Sequence, residues 1–486
     1  MKSNIERFSF FSGFFWKFNE QIMGQLVSFI VSIILARLLS PKDYGLVSLV
    51  NVFIVLANVF VTSGLSTALI QKKDATDMDF STVFYCNFAL AWLLYFLIFL
   101  LSPNIAIFYH DKRLINIVRI FALNLPISSI NSIQQAYVAR KIAFRKIFFA
   151  TSVASIISGL VGIFLAYKGW GVWALVIQIL SNTIMATLVL FIQIPWHPQL
   201  IFSIKSAKEL INYGWKVLAA DFLGTFFAQL RNLVIGRFYT ATDLAFYNRG
   251  DQFPNLLSNN IDNTISSVLF PVMSKYGDDV DKLKSMVRRS LRISSYIITP
   301  IMFGLAVIAK PLILILLTNK WLPAVPYMQI LCISNVFSTI TNTNLQVMKA
   351  SGRSDVLLKI ELIKKPIYII LLFIGIKFSV FMVAVTMAIY SFYAACVNMR
   401  PNKKIINYSA KEQLSDVFPS IFLSVLMAII TSLINFLNLS NILTLVIQVM
   451  LGIIIYVLGS KIFRLEPYTY MKKYIVELVK EKLRKN

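Results

Sequence analysis

The chain has 486 residues, of which 57% are hydrophobic and only 14% are charged. About 25% of the residues of a typical soluble protein are charged, and one protein core could not bury this much apolar surface, so the composition excludes an ordinary soluble enzyme. The formal net charge of +25 would suit a nucleic-acid-binding protein. The basic residues, however, lie in short connections between apolar segments, which argues against nucleic acid and is typical of a polytopic membrane protein.

Fourteen apolar segments follow one another along the chain. A helix needs about 20 residues to cross a hydrocarbon core of about 30 Å, and each segment is long enough to do so. None of them alternates with the period of two that a strand would show. We therefore predict an all-α polytopic membrane protein with about 14 transmembrane helices. The segments cover residues 12–36, 44–68, 80–101, 115–137, 147–167, 171–194, 213–236, 244–272, 293–317, 323–348, 357–376, 378–398, 417–437 and 441–463.

The basic residues are distributed unevenly over the connections between these segments. Every second connection is rich in lysine and arginine, as at 140–146 and 275–292, and the alternate connections hold few of them. Loops on the cytoplasmic side of a membrane carry the excess of lysine and arginine. The pattern therefore predicts that both termini are cytoplasmic.

The first apolar segment has a counterpart about 200 residues later. It begins with Trp16-Lys17 and carries further polar residues, and the seventh segment begins with Trp215-Lys216 in the same way. Six predicted helices separate the two copies, which is an even number, so both copies enter the membrane in the same direction. This arrangement predicts a parallel repeat about a pseudo-two-fold axis along the membrane normal.

The repeat divides the chain into two six-helix lobes and an appendage. We expect an N-terminal lobe at 1–200 (helices 1–6), a C-terminal lobe at 201–400 (helices 7–12), two further helices at 401–463, and a basic amphipathic cytoplasmic tail at 464–486.

Ionisable and amide side chains interrupt several apolar segments. A charge at membrane depth is costly, so it usually faces a cavity or a partner. Lysine and arginine bind phosphate oxygens, and amides bind sugar hydroxyls. The candidate substrate-binding residues are Lys17, Lys216, Arg231, Arg249, Asn255 and Asn259. The candidates for ion coupling or charge balance are Glu20, Asp221, Asp251 and Asp262.

Each of these residues also has a purely structural interpretation. Lys17 and Lys216 lie near the predicted cytoplasmic helix ends and could reach lipid headgroups. Lys17 could instead form a local ion pair with Glu20. The asparagines could join neighbouring helices by hydrogen bonds. The density of polar residues in equivalent places of both halves favours a wet cavity between the two lobes.

Motifs for energy conversion and metal chemistry are missing from the sequence. It contains no GxxxxGK[ST] motif, so it encodes no ATP-driven motor. The only histidines are His110 and His197, in or near loops, and the three cysteines lie far apart, so we predict no metal site and no cofactor. We interpret Asp77 and Asp79, a DxD motif, as acids at the start of a helix.

Three motifs together identify a family. They are ILARLLSPKDYG at 34–45, FRK at 144–146 followed by GWGVWALV at 169–176, and SGRS at 351–354 with ELIKKP at 361–366. They resemble the polysaccharide-exporter branch, the Wzx-type lipid-linked oligosaccharide flippases, of the multidrug/oligosaccharidyl-lipid/polysaccharide transporter superfamily. The resemblance spans nearly the whole chain.

The resemblance implies a flippase without enzymatic activity. Its cargo would be undecaprenyl-pyrophosphate-linked oligosaccharide repeat units of O-antigen, capsule or exopolysaccharide, moved across the bacterial inner membrane by alternating access. Its partners would be that lipid-linked oligosaccharide, membrane lipids, and a polysaccharide polymerase and glycosyltransferases. The alternatives are a multidrug exporter or a peptidoglycan-precursor flippase of the same superfamily. A membrane glycosyltransferase is disfavoured because no outer loop is large enough to carry a catalytic domain.

Overall fold

The computed structural model describes residues 23–72, 74–275 and 279–473, and within these ranges it contains helices and no strands. The prediction of an all-α protein is therefore confirmed. The helices are α1 (Met23–Leu38), α2 (Pro41–Thr62), α3 (Leu65–Gln71), α4 (Asp77–Phe108), α5 (Leu114–Phe121), α6 (Asn124–Arg140), α7 (Phe144–Tyr167), α8 (Val172–Gln193), α9 (Ile204–Phe238), α10 (Ala241–Lys275), α11 (Val280–Val307), α12 (Ala309–Leu317), α13 (Val325–Ala350), α14 (Ser354–Phe378), α15 (Val380–Met399), α16 (Asn402–Ile406), α17 (Ala410–Ser432) and α18 (Asn441–Ile462). Two short 3₁₀ helices cover Asn319–Ala324 and Leu433–Leu437.

In the part of the chain that the structure describes, eleven helices are long and apolar enough to cross a membrane. They match eleven of the fourteen predicted segments, so the protein is a multi-pass membrane protein. The remaining three segments correspond to α1, α10 and α14. Helix α1 is described only from Met23, and charged side chains interrupt the apolar sequence of α10 and α14. The total of fourteen spans stays a prediction.

The chain forms two compact units, Met1–Ala245 and Phe246–Asn486. In the first unit α7 packs along α8, α4 packs on α5 and α6, and α9 packs on α2, α3 and α4. Its core contains the aromatic side chain of Phe80, whose ring centroid lies 5.6 Å from those of Tyr137 and Trp196. The division into lobes at residue 200 stays a prediction.

Two turns of the first unit have the same hydrogen bonds. At the start of α2, the Ser40 hydroxyl donates to Asp43 Oδ2 at 2.6 Å, and the Ser40 amide donates to the same oxygen at 3.1 Å. At the start of α10, Thr240 and Asp243 repeat both contacts with the same distances. Such reciprocal caps satisfy amide donors that a helix start leaves unpaired. The repetition noticed in the sequence thus extends to local geometry, whereas the two-lobe symmetry stays a prediction.

The two capped turns lie against each other. A methyl group placed on Gly45 would lie 1.9 Å from the carbonyl oxygen of Ala241, far inside van der Waals contact. Glycine at position 45 is therefore what allows the first turn of α2 to touch the first turn of α10.

Helix α4 begins at the DxD motif. The Thr76 amide donates to Asp79 Oδ2 at 2.9 Å, and the Thr76 side chain accepts from the Asp79 amide in return. The interpretation of these acids as the start of a helix is confirmed, because Asp79 caps α4.

In the second unit, α11 packs on α13 and α17, and α15 packs on α13 and α14. Helices α17 and α18 leave many large apolar side chains exposed, for example Phe436 and Ile462. A soluble protein rarely exposes an apolar surface of this extent, so this surface of the unit faces lipid.

Candidate functional site

Helix α10 carries five of the ten candidate residues. The side chains of Arg249, Asp251 and Asp262 are buried, with 5%, 7% and 8% of their surface exposed. Asn255 is half-buried, and Asn259 is exposed. Buried charged groups need compensating contacts, and those contacts show what each group is placed to do.

The Arg249 guanidinium lies on an aromatic ring. Its central carbon is 4.9 Å from the ring centroid of Trp321, a fully buried residue of the 3₁₀ helix before α13. Its Nη1 donates to Gln252 Oε1, one helical turn away, at 2.5 Å. Stacking occupies the face of a guanidinium and leaves its edge as a planar set of N–H donors, which suits a phosphate or a carboxylate.

The residue after Arg249 fixes this arrangement. A methyl group on Gly250 would lie 2.7 Å from the Tyr327 Cβ and 2.8 Å from the Met328 amide nitrogen. The backbone of α10 therefore approaches the first turn of α13 closely at this point, which holds the guanidinium over the indole ring.

A polar seam joins α10 to α13 further along. Asn342 Nδ2 donates to Asp262 Oδ2 at 2.5 Å, and Gln346 Nε2 donates to Ser266 Oγ at 3.0 Å. Asp262 and Ser266 are four positions apart on α10, and Asn342 and Gln346 are four positions apart on α13. The two contacts therefore lie on one face of each helix. The carboxylate of Asp262 is thus held by an amide donor from a different helix.

Helix α9 carries three further candidates in the first unit. Lys216 and Asp221 are exposed, and Arg231 is half-buried. Directly after Arg231, Asn232 Nδ2 donates to Gln229 Oε1 at 3.1 Å. Lys216 and Arg231 are separated by 15 positions, or about 22 Å along a helix, so they do not form one cluster.

The candidates on α10 are likewise spread along their helix. Arg249 and Asp262 are 13 positions apart, about 20 Å along the axis. The structure brings Asp262 to Asn342 and Arg249 to Trp321, but it does not bring these two pairs into one site. Lys17 and Glu20 lie outside the described residues.

Helix α14 holds an ion pair with a buried lysine and a partly exposed glutamate, neither of which was among the candidates. Lys364 Nζ lies 2.5 Å from Glu361 Oε1, and only 5% of the lysine side chain is exposed. Lys365 Nζ lies 3.5 Å from Glu361 Oε2. The signal was present in the sequence, because a glutamate followed by lysines at i+3 and i+4 within an apolar helix is a local pair on one face.

Amides also join helices in the first unit. Asn124 Nδ2 of α6 donates to Thr183 Oγ1 of α8 at 2.8 Å, and Ser128 Oγ donates to Asn124 Oδ1 at 3.0 Å. These contacts fit the structural interpretation of the asparagines as links between helices. Across the described ranges, no group of three or more histidine, cysteine, aspartate or glutamate side chains is placed to hold a metal ion.

Comparison with known sequences places this geometry in a family. The profile of the family described as "Polysaccharide biosynthesis protein" matches residues 34–326. The succinoglycan biosynthesis transport protein ExoT of Rhizobium meliloti is 22% identical over 68% of this chain and 67% of its own. The teichuronic acid biosynthesis protein TuaB of Bacillus subtilis is 26% identical over 76% of both chains. The lipopolysaccharide biosynthesis protein WzxC of Escherichia coli is 23% identical over 70% of both.

Solved structures show the same fold. The lipid II flippase MurJ in an inward closed conformation superposes with a TM-score of 0.75 at 18% identity, covering 93% of this chain and 98% of that one. An inward-facing multidrug resistance MATE transporter of the MOP superfamily gives 0.61 at 15% identity, covering 79% and 94%. The chain therefore belongs to the family of polysaccharide biosynthesis proteins, and it shares its fold with a transporter of the superfamily that its motifs resemble.

Proposed function

We propose that the protein is a flippase that moves an undecaprenyl-pyrophosphate-linked oligosaccharide across the bacterial inner membrane by alternating access. The cargo is the repeat unit of O-antigen, capsule or exopolysaccharide. The observation that carries the proposal is the buried Arg249 in a helix of a membrane protein of this family, a permanent cation stacked on Trp321. The names of three relatives, two biosynthesis proteins and one biosynthesis transport protein for surface polysaccharides, support it.

The proposed division of labour follows from the chemistry of the side chains. Arg249 and Arg231 contact the diphosphate or acidic sugars through charge-assisted hydrogen bonds. Asn255 and Asn259, at i and i+4 on one face of α10 and less buried than the arginine, offer both donors and acceptors to sugar hydroxyls. We assign Lys216 and, from the sequence repeat, Lys17 to the first contact with the cargo at the cytoplasmic entrance. Four carboxylates balance the charges of these basic residues or couple the movement of an ion to transport. They are Glu20, Asp221, Asp251 and Asp262.

The membrane arrangement is part of the same proposal. Helices α1, α10 and α14 cross the membrane together with the eleven apolar ones, which gives fourteen spans in two six-helix lobes followed by α17 and α18. Both termini are cytoplasmic, and the protein has no enzymatic activity of its own. A polysaccharide polymerase and glycosyltransferases act before and after it. The identical caps at Ser40 and Thr240 support the repeat on which this arrangement rests.

The test is complementation of a deletion strain in its own surface polysaccharide. Arg249→Met should reduce surface polysaccharide at least tenfold, since a hydrogen bond to a charged group contributes roughly 1.5–3 kcal/mol, and lipid-linked oligosaccharide should accumulate inside. Arg249→Lys, which keeps the charge and loses the planar donors, should be intermediate. Lys461→Gln, at the exposed end of α18, is the matched control. Normal polysaccharide from Arg249→Met at normal membrane levels would contradict the proposal.

A second experiment separates the cargo classes. The double variant Lys17→Gln/Lys216→Gln should stop polysaccharide assembly while leaving the protein in the membrane. Purified protein in vesicles should translocate lipid-linked oligosaccharide. Translocation of lipid II alone would indicate a peptidoglycan-precursor flippase, and accumulation of a cationic dye alone would indicate a multidrug exporter.

A further inference from the structure

A cavity of 440 Å³ opens in the second unit, between α11 and the residues that follow α18. Its polar lining consists of Arg289, Arg292, Glu466, Thr469, Tyr470 and Lys473. A neighbouring cavity of 350 Å³ shares Arg292, Glu466 and Pro467 with it and adds Asp416, Arg464 and the aromatic rings of Phe422 and Phe463. A basic cavity thus adjoins one that has both charged and aromatic walls.

The sequence fixes the depth of these cavities in the membrane. Helix α11 carries no charged residue from Ile293 to its end, and no charged residue occurs between Asp416 and Lys461. The charged side chains of the cavity lie just beyond these apolar stretches, as side chains at headgroup level do. The two cavities therefore lie where the hydrocarbon core meets the polar headgroups.

One arginine of the lining is held by carboxylates. Arg292 Nη2 lies 2.5 Å from Asp416 Oδ1, and its other terminal nitrogen contacts Glu466. Asp416 is nearly buried and also accepts from Arg288 Nε at 2.7 Å and from the Tyr408 hydroxyl at 2.7 Å. These contacts join α11, α17 and the chain after α18 into a rigid wall.

The other two basic residues are arranged differently. The guanidinium carbon of Arg289 lies 3.5 Å from the ring centroid of Tyr470, so its face is covered and its N–H edge is available. Within the described residues, neither Arg289 nor Lys473 has a carboxylate at ion-pair distance. Among the described residues the lining holds three cations, these two and Arg292, against the carboxylate of Glu466 and that of Asp416 behind Arg292. The cavity therefore has an excess of positive charge.

We propose that this cavity binds the phosphate group of an anionic phospholipid from the surrounding leaflet. Arg289 and Lys473 bind the phosphate oxygens, since an arginine edge and a lysine ammonium are the usual protein donors to phosphate. Phe422 and Phe463, whose ring centroids are 6.3 Å apart, contact the glycerol and the first acyl carbons. A lipid bound here bridges α11, α17 and α18 and stabilises their packing.

The same phosphate chemistry could come from an inorganic anion or from a polyprenyl diphosphate. The depth of the cavity and its aromatic neighbour favour a lipid over a soluble anion. A diacyl phospholipid of the bulk membrane is present in large excess over any lipid-linked intermediate. This proposal does not depend on the cargo of the protein.

The experiment is native mass spectrometry of the full-length detergent-solubilised protein, titrated with phosphatidylglycerol and, separately, with phosphatidylcholine, undecaprenyl diphosphate and inorganic phosphate. Wild type should bind phosphatidylglycerol well above phosphatidylcholine. Arg289→Gln/Lys473→Gln should weaken phosphatidylglycerol binding about thirtyfold, because each cation near a membrane surface contributes about fivefold. Lys461→Gln/Lys472→Gln removes the same charge outside the cavity and should change binding less than twofold.

The outcomes discriminate between the sources. Equal phosphatidylglycerol affinity in wild type and in the cavity variant would overturn the proposal. A loss confined to inorganic phosphate or to undecaprenyl diphosphate, with phosphatidylglycerol binding unchanged, would overturn the assignment to a phospholipid. An equal loss in the control variant would show a diffuse charge effect and would overturn the site. Tyr470→Leu, which removes the ring beneath Arg289, should give a loss between the two double variants.

Discussion

Gly45→Ala should destabilise the first unit markedly. The added methyl group would lie 1.9 Å from the Ala241 carbonyl oxygen and 2.3 Å from its carbon. A carbon and an oxygen atom in contact are about 3.4 Å apart, so the first turns of α2 and α10 would have to separate by about 1.5 Å. The obstacle is backbone, and no side chain can rotate away. Forcing an extra methyl group into a packed contact costs typically about 1–3 kcal/mol.

The assay is thermal unfolding of the purified protein in detergent, followed by the loss of soluble protein. For a unit of this size about 1 kcal/mol corresponds to about 2–4 °C in Tm, so Gly45→Ala should lower Tm by roughly 3–10 °C. The matched control is Gly224→Ala in the interior of α9, where no atom lies within 4 Å of the new methyl group. Alanine favours a helix over glycine by about 1 kcal/mol, so this control should not lower Tm.

Equal Tm values for the two glycine variants would refute the close contact between the turns. Gly45→Ser is a second test of the same contact, because it adds a still larger side chain at the same place. It should be at least as destabilising as Gly45→Ala if the contact is real.

Three further substitutions test the polar contacts of the second unit. Asn342→Ala should destabilise the protein by about 1–3 kcal/mol, because it removes the amide donor from the buried Asp262. If Asn342→Ser has wild-type stability, a hydroxyl donor is sufficient at this position. Asp416→Ala should cost about 2 kcal/mol, less than for a fully buried pair because its arginine partners reach solvent, and an unchanged Tm would contradict the network. Lys364→Met should leave Tm within about 4 °C, because the Glu361 side chain is 40% exposed and keeps Lys365 at 3.5 Å, so its charge is not left buried and unpaired. A larger drop would show that Glu361 depends on Lys364.

Most of the fold follows from composition and spacing. Apolar segments of sufficient length predict helices because a helix satisfies all the backbone polar groups of a single segment in lipid. Among the described residues, eleven of the fourteen predicted segments are helices long and apolar enough to cross a membrane. Helix α10, predicted as a span at 244–272, is not among the eleven, since Arg249, Asp251 and Asp262 break its apolar pattern. The charged residues that make α10 a candidate site therefore also weaken the apolar pattern by which a membrane span is predicted.

The partners of the polar residues could not be read from the sequence. No spacing rule connects Arg249 with Trp321 or Asp262 with Asn342, because these contacts depend on how α10 packs against the region around α13. The Glu361–Lys364 pair is different, since both residues lie on one helix and three positions apart. The spacing of a glutamate and lysines at i+3 and i+4 therefore predicts this pair from the sequence alone.

The stacking of Arg249 on Trp321 also bears on how transport depends on proton concentration. A guanidinium cannot lose its proton in a protein, so an anion held by Arg249 is bound with equal strength in acidic and alkaline cytoplasm. A cell that drives export with a proton gradient would need a carboxylate to sense it, and Asp262, joined to Asn342 on a second helix, is placed to pass a change of charge on to the position of α13. If export is driven by protons through Asp262, as its proposed coupling role implies, an Asp262→Asn variant should lose the dependence of export on external pH and keep its dependence on Arg249.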